Sequence, residues 1–197
     1  MSKGTETKQR ILELAAPVFN IKGYAGASLT DILKATGLKN GGLYNHFESK
    51  EELALATFDW SVDQFSKRWR AAIAGKRNAL DRLKMAVDMF DDYYSNPIVP
   101  GGCPILNTAI ESDDSNPVLR ELAQTKMTAM RQTLSSIVNK CIKRGEVRKG
   151  VDAAEIAVVV IALLEGGIML SKLYGDAAML RSAQAQARKM IQTELTP

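Results

Sequence analysis

The sequence predicts an all-α protein of about nine helices, with a three-helix N-terminal unit followed by a helical bundle. Apolar residues recur at intervals of three and four, and no segment shows the period of two that a half-buried strand requires. The helices change in character near residue 50, where short segments with polar outer faces give way to longer, more apolar ones. We therefore predict one domain over residues 1–50 and a second over residues 51–197.

The first two helices have recognisable start and stop signals. The first carries a single apolar stripe and stops near Gly23. Ser28 and Asp31 form a capping box at the start of the second helix, with Asp in place of the usual Glu. Gly37 can end that helix in a left-handed conformation. The residues predicted to face the core are Ile11, Leu14, Ala15, Val18, Phe19, Leu29, Ile32 and Leu33.

The later helices follow from the same signals. A short third helix is predicted over about residues 39–47, and Ser49 with Glu52 caps a fourth helix that runs to about residue 70. The segment 95–104 contains three prolines and two glycines and is predicted to be a loop. The other helices are predicted over about residues 79–94, 104–112, 117–144, 152–173 and 178–193.

The net charge of +4 is concentrated at one end of the chain. Residues 1–50 hold seven Lys or Arg against four Asp or Glu, and seven minus four places +3 in the first quarter. A compact basic end indicates a polyanionic partner, with a chance excess on a solvated surface as the alternative.

Composition argues against several classes of function. The two cysteines provide no disulfide framework, and the single histidine, His46, leaves no metal-ligand spacing. The polar N-terminus lacks the apolar segment of a signal peptide, and the longest uncharged apolar stretch, 156–164, is too short to span a bilayer. We therefore expect a cytoplasmic protein that is not an enzyme, binds no metal or cofactor, and does not associate with a membrane.

The third predicted helix begins with three poor helix formers, Asn-Gly-Gly. Together with the second helix and the turn at Gly37, it predicts a helix-turn-helix. Glycine at a helix start lets backbone N–H groups approach a phosphate closely, and Asn and His can contact bases or phosphates. This composition favours DNA binding, with a poorly formed helix end in an ordinary bundle as the alternative. The predicted outer surface consists of Asn40, Gly41, Gly42, Tyr44, Asn45 and His46.

The segment "TDILKATGLKNGGLYNHFESKEEL", preceded by "GYAGASL", resembles the DNA-binding signature of the tetracycline-repressor (TetR) family of bacterial transcription regulators. The resemblance is specific over about residues 8–55 and covers the rest of the chain by helix count alone. It implies a homodimeric repressor that binds double-stranded DNA at a palindromic operator and is released by a small-molecule effector.

The resemblance also implies which residues contact DNA. Tyr44 and Lys50, with Ser28 and Thr30, correspond to contacts with the DNA backbone. Two positions depart from the family pattern, since Lys39 replaces a small capping residue and Gly42 replaces a common Thr. Loss of the cap costs about 1 kcal/mol, so we expect the recognition helix to order fully on DNA. The implied DNA-binding residues are Ser28, Thr30, Lys39, Asn40, Gly41, Gly42, Tyr44, Asn45, His46 and Lys50.

The eighth predicted helix is apolar on almost every side, which indicates a partner beyond its own core. Together with the last helix, it resembles the four-helix dimer interface of the family. The alternative is a central core helix of a monomer. The candidate interface residues are Ala157, Ala162, Gly166, Gly167 and Leu170.

An effector pocket in this family lies among the fourth to eighth helices. Methionine and aromatic residues adapt to irregular ligands, although at helical spacing they also suit an ordinary core. Cys103 lies at a predicted helix start, which favours a reactive thiolate, and we weigh a thiol-reactive effector against a small packed residue. The candidate ligand-binding residues are Trp60, Trp69, Met85, Met89, Tyr93, Cys103, Met127, Met130 and Met169.

Two other classes of function stay open alongside a DNA-binding regulator. One is a helical small-molecule carrier or enzyme, which would require a nucleophile–base pair or a metal cluster. The other is a protein-interaction adaptor whose basic end has no role in DNA binding. Steep dependence of binding on salt concentration would distinguish a regulator from both.

Overall fold

The computed structural model describes residues 3–196, so Met1, Ser2 and Pro197, which the predicted domain ranges include, lie outside the described residues. Within that range the chain is helical and contains no strand, which confirms the predicted fold class. The elements are α1 Lys3–Lys22, α2 Leu29–Thr36, α3 Asn40–Tyr44, α4 Lys50–Ile73, α5 Ala79–Asp88, α6 Pro104–Ser112, α7 Pro117–Lys143, α8 Ala153–Tyr174, α9 Ala178–Lys189 and a π-helical segment, Met190–Leu195.

The helices form two compact units. The N-terminal unit comprises Met1–Phe65 and Ile98–Ala123, and the C-terminal unit comprises Ser66–Pro97 and Gln124–Pro197. Two of the three unit boundaries therefore fall within α4 and within α7, and the third falls between α5 and α6. The N-terminal unit includes α6, which lies far from the first three helices in sequence. The domain boundary predicted after residue 50 stays a prediction.

One hydrophobic core holds the first four helices of the N-terminal unit together. Phe19 of α1, Ile32 of α2 and Leu43 of α3 are buried in it, together with Phe47 and the start of α4. Each helix contributes one apolar side and leaves its polar side in solvent, as the periodicity predicts. Burying an aliphatic or aromatic side chain of this kind contributes about 1.5–3 kcal/mol.

The predicted start and stop signals of α2 and α4 are present. The Ser28 hydroxyl accepts a hydrogen bond from the Asp31 N–H at 3.1 Å, and Asp31 accepts one from the Ser28 N–H at 3.0 Å. Gly37 ends α2 with φ of 69°, a left-handed conformation that glycine adopts without strain. At the start of α4, the Ser49 hydroxyl accepts from the Glu52 N–H at 3.0 Å. The Glu52 carboxylate accepts from the Glu48 N–H at 2.6 Å, one residue before the Ser49 N–H that a full capping box uses.

Two helices are shorter than the sequence predicts. The third was predicted over residues 39–47, but α3 covers Asn40–Tyr44 and Lys39 is its N-cap without a side-chain hydrogen bond. The fifth was predicted to reach residue 94, but α5 ends at Asp88. The N–H of Phe90 bonds the carbonyl of Val87, and the N–H of Tyr93 bonds that of Phe90, so consecutive turns replace the helix.

In the C-terminal unit, α8 packs closely against α9. A side chain at Gly167 would place its Cβ 2.8 Å from the Cβ of Ala183 and 3.1 Å from the Cα of Leu180, so glycine permits this approach. Helix α9 is also tied to α5, because the buried Gln184 side chain donates to the Val87 carbonyl at 3.1 Å. Arg188 adds ion pairs to Asp88 and Asp91 of the same region.

The opposite face of α8 is apolar and exposed. By length and composition alone this helix could cross a membrane, since its mean hydropathy over 18 residues is 2.2. Core helices share that composition, and one side of α8 is buried against α9. The exposed apolar residues of α8 include Val158, Ala162, Met169, Leu170, Leu173 and Tyr174.

Candidate nucleic-acid interface

The start of α2 is rigidly capped, which determines what its predicted DNA contacts can do. The Ser28 hydroxyl both accepts from the Asp31 N–H and donates to the Asp31 carboxylate at 2.7 Å. Lys22 at the end of α1 forms an ion pair with the same carboxylate. The Lys22 hydrogen bond, followed by those from Ser28, holds the pKa of Asp31 well below its usual range. Ser28 is therefore occupied as a cap, whereas the neighbouring Thr30 is exposed.

Helix α3 presents most of its predicted surface to solvent. Lys39, Asn40, Gly41 and Asn45 are exposed, and Tyr44 is 46% exposed. Gly42 and His46 are half-buried. The opposite side of the helix carries Leu43, which is buried in the shared core. Thus one short helix is anchored by an apolar residue while its amides, phenol and backbone remain accessible.

Neither glycine of α3 is required by the protein's own structure. Both lie in the helix, and neither has a positive φ. A Cβ added at Gly41 would meet no atom within 4 Å, and one at Gly42 would lie 3.5 Å from the Leu38 side chain, an ordinary contact. Alanine would fit both positions and would favour the helix more strongly.

Phe47, which lies between α3 and α4, is a second core residue next to the predicted DNA surface. The ring of Phe47 is buried, and the ammonium of Lys8 lies 4.7 Å from the centroid of this ring. Lys8 also lies 3.7 Å from the carboxylate of Glu52. Lys8 lies 39 positions before Phe47 in the chain, so no local sequence pattern predicts this contact.

Lys50 is half-buried at the start of α4 and lines a cavity of about 650 Å³ within the N-terminal unit. The walls come from the α1–α2 turn, the start of α4, the end of α6 and the start of α7. They combine one ammonium group, two carboxylates and several hydroxyl groups with an aliphatic floor. The lining residues are Tyr24, Ala25, Ser49, Lys50, Glu51, Ala54, Leu55, Glu111, Ser112, Ser115, Asn116, Val118 and Leu119.

Helix α6 holds the α1–α2 turn through a carboxylate that the sequence analysis missed. Glu111 Oε2 accepts from the Tyr24 N–H at 2.9 Å, and Oε1 accepts from the Ala25 N–H at 2.8 Å. The Tyr24 hydroxyl lies 3.1 Å from that of Thr108, and its ring stacks on Phe19. Burial raises the pKa of Tyr24 to about 12, with a further increase from the charge of Glu111 and an opposing effect of the Thr108 hydrogen bond.

A second set of hydrogen bonds joins the end of α1 to the Pro- and Gly-rich loop. The Asn20 side-chain amide donates to the carbonyls of Pro100 and Gly102, both at 2.9 Å. The Asn107 amide donates to the Asn20 side-chain oxygen at 2.9 Å. Gly101 has φ of 110°, and a side chain there would place its Cβ 2.7 Å from the Asn20 carbonyl oxygen. These bonds explain why residues 98–123 belong to the N-terminal unit.

The predicted ligand-binding residues are distributed over both units. Trp60 and Cys103 belong to the N-terminal unit, and Cys103 is buried at the N-cap of α6. The other candidates belong to the C-terminal unit, where Met89 and Tyr93 are buried and Met169 is 43% exposed on α8. Trp69, Met85, Met127 and Met130 are half-buried there. Their joint role in a ligand site stays a prediction.

The predicted dimer residues divide between the two faces of α8. Ala157 and Gly167 are buried within the protomer, whereas Ala162 and Leu170 are exposed and Gly166 is half-buried. A Cβ added at Gly166 would meet no atom within 4 Å, in contrast to Gly167. Among residues 3–196, no group of three or more His, Cys, Asp or Glu could hold a metal ion.

A capped helix, a left-handed glycine turn and a short exposed helix on one core define a helix-turn-helix DNA-binding protein with a second helical unit. Family models support this class along most of the chain. Residues 11–57 match the model of bacterial regulatory proteins of the tetR family, and residues 79–187 match the tetracyclin repressor-like C-terminal domain. The chain belongs to the TetR family.

Individual relatives agree with this assignment. The structure is similar to a TetR transcriptional regulator from Chloroflexus aurantiacus J-10-FL, with 43% identity, a TM-score of 0.94, and coverage of 99% of this chain and 98% of that one. A TetR-family regulator from Cytophaga hutchinsonii has 35% identity and a TM-score of 0.89, with 97% and 96% coverage. The transcriptional regulator CymR of Pseudomonas putida is 28% identical over 165 residues, covering 83% of this chain and 78% of CymR.

The protein is therefore a DNA-binding transcriptional regulator of the helix-turn-helix type. Regulators of this family bind operator DNA, form dimers and have small-molecule ligands. The segment around Asn-Gly-Gly predicts a DNA-binding regulator of this family, and this prediction is confirmed.

Proposed function

We propose that the protein is a homodimeric repressor that binds a palindromic operator through α3 and is released from it by a small-molecule effector. Its DNA surface comprises the exposed side of α3 together with the starts of α2 and α4. We place this activity in the cytoplasm and assign the chain no enzymatic role.

The observation that carries this proposal is the pair of glycines in α3. Gly41 and Gly42 weaken the helix, yet neither the backbone conformation nor the packing of the protein requires them. A requirement outside the protein accounts for them, because a duplex can approach a helix most closely where side chains are absent. Backbone N–H groups at the start of α3 can then reach a phosphate.

The neighbouring side chains have the chemistry expected of such an interface. Tyr44 and Thr30 can donate hydroxyl hydrogen bonds to phosphates, and Lys39 and Lys50 can add charge. Asn40, Asn45 and His46 can hydrogen-bond base edges in the major groove. Because the hydroxyl and the backbone N–H of Ser28 both bond Asp31 within the cap, we assign the contact with the DNA backbone at the start of α2 to the exposed Thr30.

The exposed apolar face of α8 supports assembly as a dimer. Val158, Ala162, Met169, Leu170 and Leu173 are all exposed on α8, whereas Gly167 is buried. Several large apolar side chains exposed on one helix favour an interaction surface. In a two-fold dimer, two recognition helices about 34–36 Å apart read successive major grooves, which gives a palindromic site. We therefore place Met169 at the interface and leave Ala157 and Gly167 out of it.

The effector site is proposed within the C-terminal unit, with its lining drawn from the half-buried Trp69, Met85, Met127 and Met130. Cys103 offers a second route, in which a thiol-reactive compound modifies the N-cap of α6. The other thiol is a poor candidate, because burial and the nearby Glu146 raise the pKa of Cys141 to about 11.

Selection of genomic fragments from the source organism with the purified protein tests the proposal directly. We expect a short inverted repeat to be recovered, with affinity that falls steeply as salt rises. Lys50→Ala should lower the salt slope by about one ion, since each phosphate contact releases about one counterion. Tyr44→Ala should abolish binding while the protein stays dimeric. A carrier, enzyme or adaptor would recover no common site, and that result would overturn the proposal.

A further inference from the structure

We propose that Glu111 of α6 is a positioning residue for DNA binding, which it supports without contacting DNA. It holds the α1–α2 turn so that the start of α2 is presented to the DNA backbone. This inference rests on the proposed function, since it assumes that Ser28 and Thr30 lie at the DNA surface.

The geometry of this clamp is bidentate. One carboxylate oxygen accepts from the Tyr24 N–H at 2.9 Å and the other accepts from the Ala25 N–H at 2.8 Å. Hydrogen bonds to a charged acceptor are stronger than neutral ones, and two parallel bonds also fix orientation. The two amides lie three and four residues before Ser28 in the chain. The carboxylate therefore fixes the chain at the last turn before the capping box.

The sequence of the turn is adapted to this carboxylate. Gly23 has φ of 78°, and a Cβ added there would lie 2.7 Å and 2.9 Å from the two oxygens of Glu111. A larger residue at Gly23 would displace the carboxylate from both N–H groups. The Tyr24 hydroxyl contacts Thr108 one turn earlier on α6, so Glu111 holds the backbone of the turn and Thr108 holds the side chain of Tyr24.

Loss of the clamp should leave the protein folded. Ala25 is exposed, and the turn adjoins the open cavity of about 650 Å³. Water can therefore replace the carboxylate at the two N–H groups, so they are not left buried without a partner. The remaining effect is on the turn, which then populates conformations unsuited to DNA. Apparent affinity falls in proportion to the competent fraction.

The sign of the effect separates positioning from simple electrostatics. Removing a carboxylate from a DNA-binding protein should strengthen binding, because it reduces repulsion of phosphates. Glu111→Ala is expected to do the opposite and weaken binding by about tenfold, as it would if about one-tenth of the turns stayed competent. Asp114→Ala is the matched control, since Asp114 is exposed on the segment just after α6. It should bind as tightly as the unaltered protein, or more tightly.

The experiment measures binding to the duplex selected by the unaltered protein, together with hydrogen exchange of the peptide covering residues 19–28. Glu111→Ala should bind about tenfold more weakly and exchange faster at Tyr24 and Ala25. Glu111→Gln keeps one acceptor oxygen, so its affinity should lie between those of the unaltered protein and Glu111→Ala. It replaces Glu111→Ala in the experiment if the alanine variant does not fold. Gly23→Ala should weaken binding, and adding Glu111→Ala to it should cost little more, because both remove the same contact.

Each alternative result has a definite meaning. Faster exchange with unchanged affinity would make the clamp structural only and would overturn the inference, while the proposed function would stand. Unchanged exchange would mean that the clamp does not hold the turn. Failure of the unaltered protein to select any duplex would instead overturn the proposed function, and the positioning role with it.

Discussion

Replacing Gly41 with alanine should stabilise the free protein and weaken its binding to DNA. A Cβ at this position meets no atom within 4 Å, and the residue has no positive φ, so the protein itself offers no resistance. Alanine is favoured over glycine in a helix by about 0.5–1 kcal/mol, and the position near the start of α3 suggests the lower end of that range. Thermal unfolding followed by circular dichroism should show a small increase in midpoint.

The effect on binding should be larger and of opposite sign. An extra methyl group in a closely packed contact costs about 1–3 kcal/mol, and a dimer makes the contact twice. The expected loss is therefore about 2 kcal/mol or more, which is about 30-fold in Kd. Fluorescence anisotropy with the selected duplex, at one fixed salt concentration, measures it.

Gly75→Ala is the matched control for this substitution. Gly75 also has no atom within 4 Å of an added Cβ and no positive φ, but it belongs to the C-terminal unit. It should leave Kd unchanged. If Gly41→Ala binds the duplex within threefold of the unaltered protein, the glycines of α3 do not serve close approach to DNA. That result would refute the proposed function, because nothing else about α3 requires two glycines.

Three further predictions concern packing and ionisation. Gly167→Ala should lower the free energy of unfolding in urea by about 1–3 kcal/mol, because its Cβ would meet the Cβ of Ala183 at 2.8 Å. Gly166→Ala is the control and should not lower it, since its Cβ would meet no atom within 4 Å. Equal stabilities of the two variants would contradict the packing of α9 on α8. Burial raises the pKa of Tyr24 from 10.0 to about 12. The protonated phenol therefore contributes fully to the stability of the folded protein below pH 10, and this contribution is lost as the pH rises towards 12. The stability of the unaltered protein relative to Tyr24→Phe should therefore fall by about 2 kcal/mol over that interval in urea titrations, and a constant difference would count against burial of the phenol. Cys141 should resist iodoacetamide at neutral pH until the protein is unfolded, as read by mass spectrometry, because its raised pKa leaves little thiolate.

Features set by local chemistry could be predicted from the sequence, and those set by distant contacts could not. The capping box at Ser28, the Ser49 cap and the left-handed Gly37 involve residues within a few positions of one another. Glu111 lies 87 positions from Tyr24, and no local pattern connects them.

Helices with ambiguous faces were also poorly predicted. Because α8 is apolar almost all round, its sequence alone could not separate the buried Gly167 from the accessible Gly166. The sequence predicts a buried helical stripe through Phe90 and Tyr94, but both lie in turns after α5, and only Phe90 is buried whereas Tyr94 is 40% exposed. Burial sets the position of such residues, whereas backbone hydrogen bonds determine whether the segment is helical.

The composition of the N-terminal unit matters for anyone who exchanges DNA specificity between regulators of this kind. A graft cut after residue 57 would remove the Pro100 and Gly102 carbonyls that receive the Asn20 amide, as well as the Glu111 carboxylate. The recipient would need to supply equivalent groups at the same places. Without them, the end of α1 and the α1–α2 turn would lose the hydrogen bonds that hold them. Transplanting residues 98–123 together with the first 65 keeps donors and acceptors from a single parent.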